Sequence, residues 1–426
     1  MEIYTVVSGD TVSSIAYRFG LPVSQILLDN GISDPFQLVV GQALLLRFPT
    51  RIHQVRPGET LSSIARRYGL SQRQLWRNNP ILRGGTTLYP DQTIVLAYQE
   101  ESTRPLTVNG YAYPNIDPDL LRQTLPFLTW LTPFTYGFTA EGRLVEPEDT
   151  GMVPMAQAQG VKSMLHLSTL TPEGGFSNEL SHLLFQEEAL QAALISALET
   201  ELRSKGYQGI DVDFEYVPAE DATAYAAFLT KLHDYFHPRG ILVAAALAPK
   251  TSADQPGLLY EGHDYAAIGA AVDAVLLMTY EWGYAYSAPM AVAPLPNVRR
   301  VAEYALTEIP AAKLWLGLPT YGYDWPLPYE QGVTRATSLS PQQALELART
   351  YGAAIEFDET SQAPWFRYTD NTGREHEVWF EDVRSMLAKF SLIAEHALAG
   401  AGYWNLMRPF PSNWPLLNSQ FRILPE

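Results

Sequence analysis

From residue 106 to the C-terminus, short apolar runs alternate with longer stretches whose apolar residues recur every three or four positions. A period of two marks a strand and a period of 3.6 a helix. Eight runs read as strands, at 106–113, 129–138, 161–168, 209–215, 241–248, 274–280, 314–321 and 400–406. Most are separated by helical stretches, such as 187–205 and 221–235 on either side of the fourth. Eight such units in roughly 320 residues predict an α/β chain closed into a TIM (β/α)8 barrel, with a doubly wound sheet as the alternative. The seventh interval is too long for one helix. Residues 340–350 read as helical, and 354–378 are rich in aromatic and turn residues, including Asp370-Asn371-Thr372-Gly373. An inserted β-rich subdomain is expected at about 326–384.

Residues 1–98 carry a different pattern, and it occurs twice. Gly9-Asp10-Thr11-Val12-Ser13-Ser14-Ile15-Ala16 matches Gly58-Glu59-Thr60-Leu61-Ser62-Ser63-Ile64-Ala65, Phe19-Gly20-Leu21 matches Tyr68-Gly69-Leu70, and Asn30 matches Asn79. Each copy reads strand, capped helix, turn, second helix, Asn turn, strand. Asp10 or Thr11, and Glu59 or Thr60, supply an oxygen at the helix start. Gly20 and Gly69 suit a helix C-terminus. The expected organisation is a module at 1–49, a second at 50–98, a linker at 99–105 and the barrel at 106–426.

Composition narrows the functional classes. Of the 426 residues 46% are hydrophobic, enough for a full core, and none is cysteine, which excludes disulfides and thiolate metal sites. No run of about 20 apolar residues is present, so no membrane span is expected. The N-terminus lacks a basic segment followed by an apolar one, so no secretory signal is expected. The net charge of −17 divides unevenly, with +3 on residues 1–98 and −20 on the rest. So acidic a barrel disfavours nucleic acid, whose phosphates need a basic surface.

The fourth strand carries the chemistry. In 207–216 Ile210, Val212 and Phe214 alternate with Asp211, Asp213 and Glu215. Neighbouring carboxylates on one strand face sit roughly 6.6 Å apart. On an exposed edge strand such a row is merely solvated. On the oxygen-ligand side it could hold magnesium or calcium. On a strand set between helices, and so in a buried parallel sheet, it is costly and points to a site.

This stretch resembles the Asp-x-x-Asp-x-Asp-x-Glu signature of family-18 glycoside hydrolases, with Gln208 in place of the first Asp. The resemblance implies that Glu215 is the general acid/base, Asp213 orients the substrate's N-acetyl group, which serves as nucleophile, and Asp211 supports Asp213. It also implies that Tyr280, in Met278-Thr279-Tyr280-Glu281-Trp282-Gly283, holds the N-acetyl carbonyl, and that Trp404 floors the sugar site. Tyr321, Trp282, Glu281, Asp324 and Trp325, at strand ends, are expected to contact substrate. No cofactor and no metal is implied. His166 reads as a core histidine.

The N-terminal repeats resemble LysM modules, which bind N-acetylglucosamine-containing glycans. On that resemblance Gly9, Asp10, Thr11 and Asn30, and Gly58, Glu59, Thr60 and Asn79, would line glycan grooves. Further stretches, among them Ala248-Pro249-Lys250, Glu261-Gly262-His263-Asp264-Tyr265 and Trp379-Phe380-Glu381-Asp382, are similar to those of spore germination and cortex-lytic N-acetylglucosaminidases. The implied partner is peptidoglycan or a chitin-type glycan, at the spore coat, cortex or cell wall. A chitinase and a non-catalytic glycan-binding coat protein are the alternatives. Three aromatic residues of the insert, Trp365, Phe366 and Trp379, are expected beside distal sugars. Oligomeric state has no signature in the chain.

Overall fold

The computed structural model describes residues 1–99 and 102–425, so Glu100 and Glu101 of the expected linker, and Glu426, lie outside the described residues. Eight parallel strands form the barrel: β1 (Pro105–Ala112), β2 (Trp130–Pro133), β3 (Lys162–Ser168), β4 (Gly209–Asp213), β5 (Leu242–Leu247), β6 (Ala274–Leu277), β7 (Leu314–Pro319) and β8 (Gly400–Trp404). Each pairs with its chain neighbour, and β8 pairs with β1 to close the ring. A short strand, Arg422–Ile423, adds to the other side of the start of β1.

The two faces of each strand sort as their period requires. Ile210 and Val212 of β4 join Leu165, Val243, Val275 and Leu316 in the core between sheet and helices. Inside the barrel lie Tyr111, Trp130, Met164, Leu276 and Trp315, with the small Ala244 and Ala246 on β5. Bulky residues on some strands and alanines on another let the interior fill without overlap.

Several strands stop earlier than the sequence pattern suggests. The run 129–138 breaks at Pro133, and Gly137–Phe138 pairs instead with Leu144–Val145 in a separate hairpin. In the run 274–280 the ladder ends at Leu277, and the hydroxyl of Thr279 donates to the Gly317 carbonyl at 2.8 Å. The expected strand 209–215 ends at Asp213, and Glu215 stands in the turn beyond it. In each case apolar alternation continues past the last ladder hydrogen bond, because the chain leaving the barrel still packs inward.

The insert begins sooner than expected. Gly322–Pro326 is already the first strand of its sheet, whose spatial order is Thr337–Leu339, Gly322–Pro326, Glu375–Trp379, Ala363–Thr369, Glu356–Asp358, all antiparallel. Helix Pro341–Thr350 covers one face through Ala344 and Ala348, which pack on Leu339, Phe366 and Val378.

Each N-terminal module pairs two strands antiparallel, Glu2–Thr5 with Ala43–Leu46 and Pro49–Gln54 with Thr93–Tyr98, around two helices. Thr11 and Thr60 are the helix caps, each in a reciprocal capping box with Ser14 or Ser63. The modules are seated firmly. Arg47 of the first makes a buried bidentate pair with Asp29, at 2.6 and 3.0 Å, and lies 3.9 Å over the ring of Tyr98 of the second. Leu45 belongs to the barrel's core and Val39 to the insert's. Arg73 and Arg77 of the second module donate to backbone carbonyls of the barrel, including that of Pro126 at 3.0 and 2.7 Å.

Gly41 sits at the tightest of these contacts. Its φ is +83°, and a Cβ there would fall 1.8 Å from the Ile355 carbonyl oxygen of the insert. Gly41→Ala is therefore expected to lose about 2 kcal/mol or more of stability, from backbone strain together with the overlap. Thermal unfolding would register this as a lowered midpoint, with faster proteolysis of the first module; an unchanged midpoint would mean that the module is not clamped as described.

Candidate active site

The C-terminal ends of the barrel strands surround a cleft of 360 Å³ lined by Asp213, Glu215, Tyr280, Glu281 and Trp404, with Tyr113, Phe134, Phe176 and Tyr216 as aromatic walls. A larger hollow of 460 Å³, lined in part by Gln157, Glu199 and Arg239, opens at the barrel's other end, but Glu199 is the one acid in its lining among the described residues. Chemistry rather than volume identifies the site.

The acids are presented by the way β4 ends. Phe214 is buried in the outer core, stacked at 5.7 Å on Tyr225 and at 6.3 Å on Phe228. That anchor holds Asp213 and Glu215 toward the cleft on either side of it, and Tyr216 turns the chain away with φ of +56°. His263 braces the same point. Its Nδ1 accepts from the Ala248 N–H at 3.0 Å, which leaves Nε2–H to donate to the Phe214 carbonyl, also at 3.0 Å. Burial pushes the imidazole down to about 4, so this neutral tautomer persists. Gly262 is required beside it, because a Cβ would lie 2.1 Å from the Val217 carbonyl oxygen. The stretch 261–265 is thus scaffold beneath the acids; Asp264 caps helix Tyr265–Ala271, and the Lys250 ammonium donates to the His263 carbonyl at 3.0 Å.

All three carboxyls of the row are shifted upward, and burial is the largest cause for each. Asp211 is enclosed, and its Oδ2 accepts from the Tyr111 hydroxyl at 2.6 Å. Solvent in the open cleft reaches Glu215, yet the surrounding walls still desolvate its carboxyl, and the Asp213 charge adds to the shift. Among the described residues, Asp211 Oδ1 and Asp213 Oδ1 are buried oxygens with no hydrogen-bond partner. Burial without a partner is costly for such oxygens. Tyr280 is half-buried, and burial raises its phenol well above the usual range, so it remains a proton donor. A Cβ on Gly317 would meet the Tyr280 ring at 2.8 Å, so that glycine makes room for the tyrosine.

Two residues outside the expected set touch the acids. His166, read from sequence as core, is buried as such a histidine would be, but its Nε2 lies 3.4 Å from Asp213 Oδ2. Its Nδ1 is 2.6 Å from the Thr135 hydroxyl. Burial lowers its pKa, and the neutral tautomer that satisfies both contacts points N–H at Asp213. Tyr111 is the other. The signal for both was register: His166 pairs with Asp211 on the adjacent strand, and Tyr111 lies in the inward parity of β1.

Other expected contacts are corrected. Trp325 is fully buried among Val292, Tyr321 and Ala336, and its indole N–H donates to the Ser287 carbonyl, so it is core of the insert. Asp324 is buried in the same sheet, accepting from the Tyr368 hydroxyl at 2.7 Å and facing His376 Nδ1 at 2.8 Å. Trp282 packs against the barrel's outer core. Tyr321 is buried, and its hydroxyl, with that of Tyr323, is spent on Glu281 at 2.5 and 3.0 Å, so it reaches the cleft only through that carboxylate. Phe366 is core of the insert, whereas Trp365 and Trp379 stack at 5.6 Å on the opposite sheet face, which also carries Tyr323.

In the modules, Asn30 and Asn79 are buried. Their side-chain amides bond backbone atoms of Ile26 and Leu45, and of Leu75 and Val95, so they are internal clamps and not groove residues. Asp10 is held by the Tyr4 hydroxyl and the Val7 N–H, and Glu59 by His53, Arg67 and the Arg56 N–H. Gly9, Thr11, Gly58 and Thr60 remain at the surface.

The model of "Glycosyl hydrolases family 18" matches residues 122–408, and the LysM domain matches 4–47 and 53–97. The chain is 43% identical to the cortical fragment-lytic enzyme of Bacillus subtilis (strain 168), covering 100% of this chain and 99% of that one. It superposes on the crystal structure of the Bacillus megaterium QM B1551 spore cortex-lytic enzyme SleL with a TM-score of 0.84 and 36% identity, over 99% of this chain and 98% of the other. A chitinase from Chromobacterium violaceum, at 24% identity and a TM-score of 0.68 over 74% of this chain and 98% of its own, shares the fold. The chain belongs to glycosyl hydrolase family 18, and it is a glycosidase carrying two LysM domains ahead of its barrel.

Proposed function

We propose that this glycosidase cleaves β-1,4 bonds after N-acetylglucosamine in peptidoglycan of the spore cortex, with retention, using the substrate's own acetamide as nucleophile. The observation that carries the chemistry is the pair Asp213 and Glu215, both shifted upward, in one cleft with Tyr280 and Trp404. Glu215 in its protonated form gives its proton to the leaving glycosidic oxygen. The acetamido oxygen attacks the anomeric carbon, and an oxazolinium ion forms. Asp213 takes up the acetamide N–H and stabilises the positive charge, while the Tyr280 hydroxyl donates to the acetamide oxygen. Glu215, now a carboxylate, removes a proton from the water that opens the ring. His166 positions Asp213, and Asp211, held by Tyr111, stands next to it in the row. Trp404 and the aromatic walls pack on sugar faces.

The substrate reading rests on full-length relatives that share both modules and the barrel and are cortex-lytic, whereas the chitinase likeness is confined to the barrel. The surfaces at Gly9, Thr11, Gly58 and Thr60 would offer the glycan mainly backbone groups, since the neighbouring polar side chains are already engaged. Two such modules on one chain raise the effective concentration of the barrel at an insoluble wall. Association with the cortex or cell wall follows from that binding.

Glu215→Gln is expected to keep the fold and to lower turnover by roughly 10²–10⁴-fold. Mass analysis of fragments released from spore cortex, beside a chitin-oligomer digest, reads both the acid and the substrate. Preferential cleavage of chitin would overturn the cortex assignment, and near-normal turnover would remove Glu215 from the mechanism.

A thiazoline analogue of N-acetylglucosamine, resembling the cyclised intermediate, should inhibit competitively. Efficient hydrolysis of a plain glucoside would instead rule out participation by the acetamide.

Asp213 links catalysis to stability. Its carboxyl is shifted upward by burial, so the folded state binds its proton more tightly than the unfolded state does. That contribution is fully present below the ordinary carboxylate range and is lost as pH rises through the raised value. Asp213→Asn should therefore be more heat-stable than the parent at pH 8, by on the order of 1 kcal/mol, with the gain shrinking at pH 5, while turnover falls. Equal stability at both values would show that the carboxylate is not strained.

A further inference from the structure

At the barrel end opposite the cleft, three side chains converge that take no part in the chemistry above. His233 lies in the last turn of helix Ala222–Phe236, His237 opens the short helical turn His237–Arg239, and Asp273 immediately precedes β6. The two histidines are four residues apart on one helical face. Their rings stack at 4.6 Å with 22° between planes. His237 Nδ1 is 2.8 Å from Asp273 Oδ1, and His233 Nε2 is 3.3 Å from the same oxygen. One ligand atom from each of the three residues lies within 4.8 Å of the others. Asp273 is not loose, because its second oxygen accepts from the Val243 N–H at 2.9 Å, which fixes the first toward the histidines. The remaining nitrogen of His233, Nδ1, faces Asp234 Oδ1 at 3.6 Å, so the ring has one nitrogen toward a carboxylate and the other toward the convergence point.

We propose that His233, His237 and Asp273 bind a divalent transition metal, zinc by preference, with water as the fourth ligand. Two imidazoles and one carboxylate suit zinc, nickel or copper, whereas magnesium and calcium take oxygen ligands. Ligand atoms about 2.0–2.1 Å from a tetrahedral zinc stand about 3.3 Å apart, so small side-chain shifts bring this trio into place. His237 is the more exposed histidine, with 58% of its side chain accessible against 29% for His233, which leaves the metal an entry path and room for water. The site would fasten the end of the helix after β4 to the start of β6 and, through Val243, to β5. Its place on the N-terminal face of the barrel makes its role stabilisation, separate from turnover.

The test uses the full chain, stripped with a chelator and titrated with zinc chloride by calorimetry at pH 7.5. One zinc per chain is expected, and the thermal midpoint should rise by about 3 °C or more at zinc near 100 times its Kd. A His233→Asn/His237→Asn double variant should lose at least tenfold in zinc affinity together with the midpoint rise, while its turnover stays that of the parent. His237→Asn alone, at an exposed position, should weaken zinc binding and serves if the double variant folds poorly. Absence of saturable binding to the parent would overturn the proposal. So would unchanged affinity in the variants, which would put the zinc elsewhere on the acidic surface.

Discussion

Three carboxyl groups in a row at the end of one buried strand set the terms for everything around them. Asp211, Asp213 and Glu215 all lie where burial opposes their ionised forms. Such a row survives only if its backbone cannot move and its neighbours supply donors where charge must persist. The fold meets the first condition with Phe214, locked between two aromatic rings, and with the His263 bond to its carbonyl. It meets the second with Tyr111 and His166. Asp213 Oδ1 is left buried without a hydrogen-bond partner.

The same economy explains the insert. Glu281, in a left-handed conformation at φ of +66°, is drawn to the cleft rim by the hydroxyls of Tyr321 and Tyr323. Those tyrosines belong to the chain leaving β7, and their packing on Trp325 is what the insert's first strand supplies. The first LysM module completes the assembly, with Val39 in the insert's core and Leu45 in the barrel's. The LysM modules and the barrel's cleft are therefore held in one fixed relation.

Whatever depends on local period and on repetition could be read from the residues alone. The two modules were legible because an eight-residue block recurs in register and each copy closes its own small core, with Thr11 and Thr60 capping as the pattern required. The eight strands were legible because an inward and an outward face each impose a period of two. The acid row stood out because it violates that period's usual chemistry. Alternation says which residues share a face, but not how far the ladder runs, so Glu215 was placed on a strand that stops at Asp213. Which aromatic residues line the cleft and which are core was settled by packing between distant elements. Trp404 and Trp325 look alike in sequence, yet one lines the cleft and the other is sealed inside the insert. Asn30 and Asn79 repeat as a binding residue would, but repetition equally marks a clamp that each module needs to close. Partners such as Tyr111 and Asp211, or His237 and Asp273, lie on separate strands and loops. Their meeting depends on barrel closure and strand register, which are global quantities that no local window of residues contains.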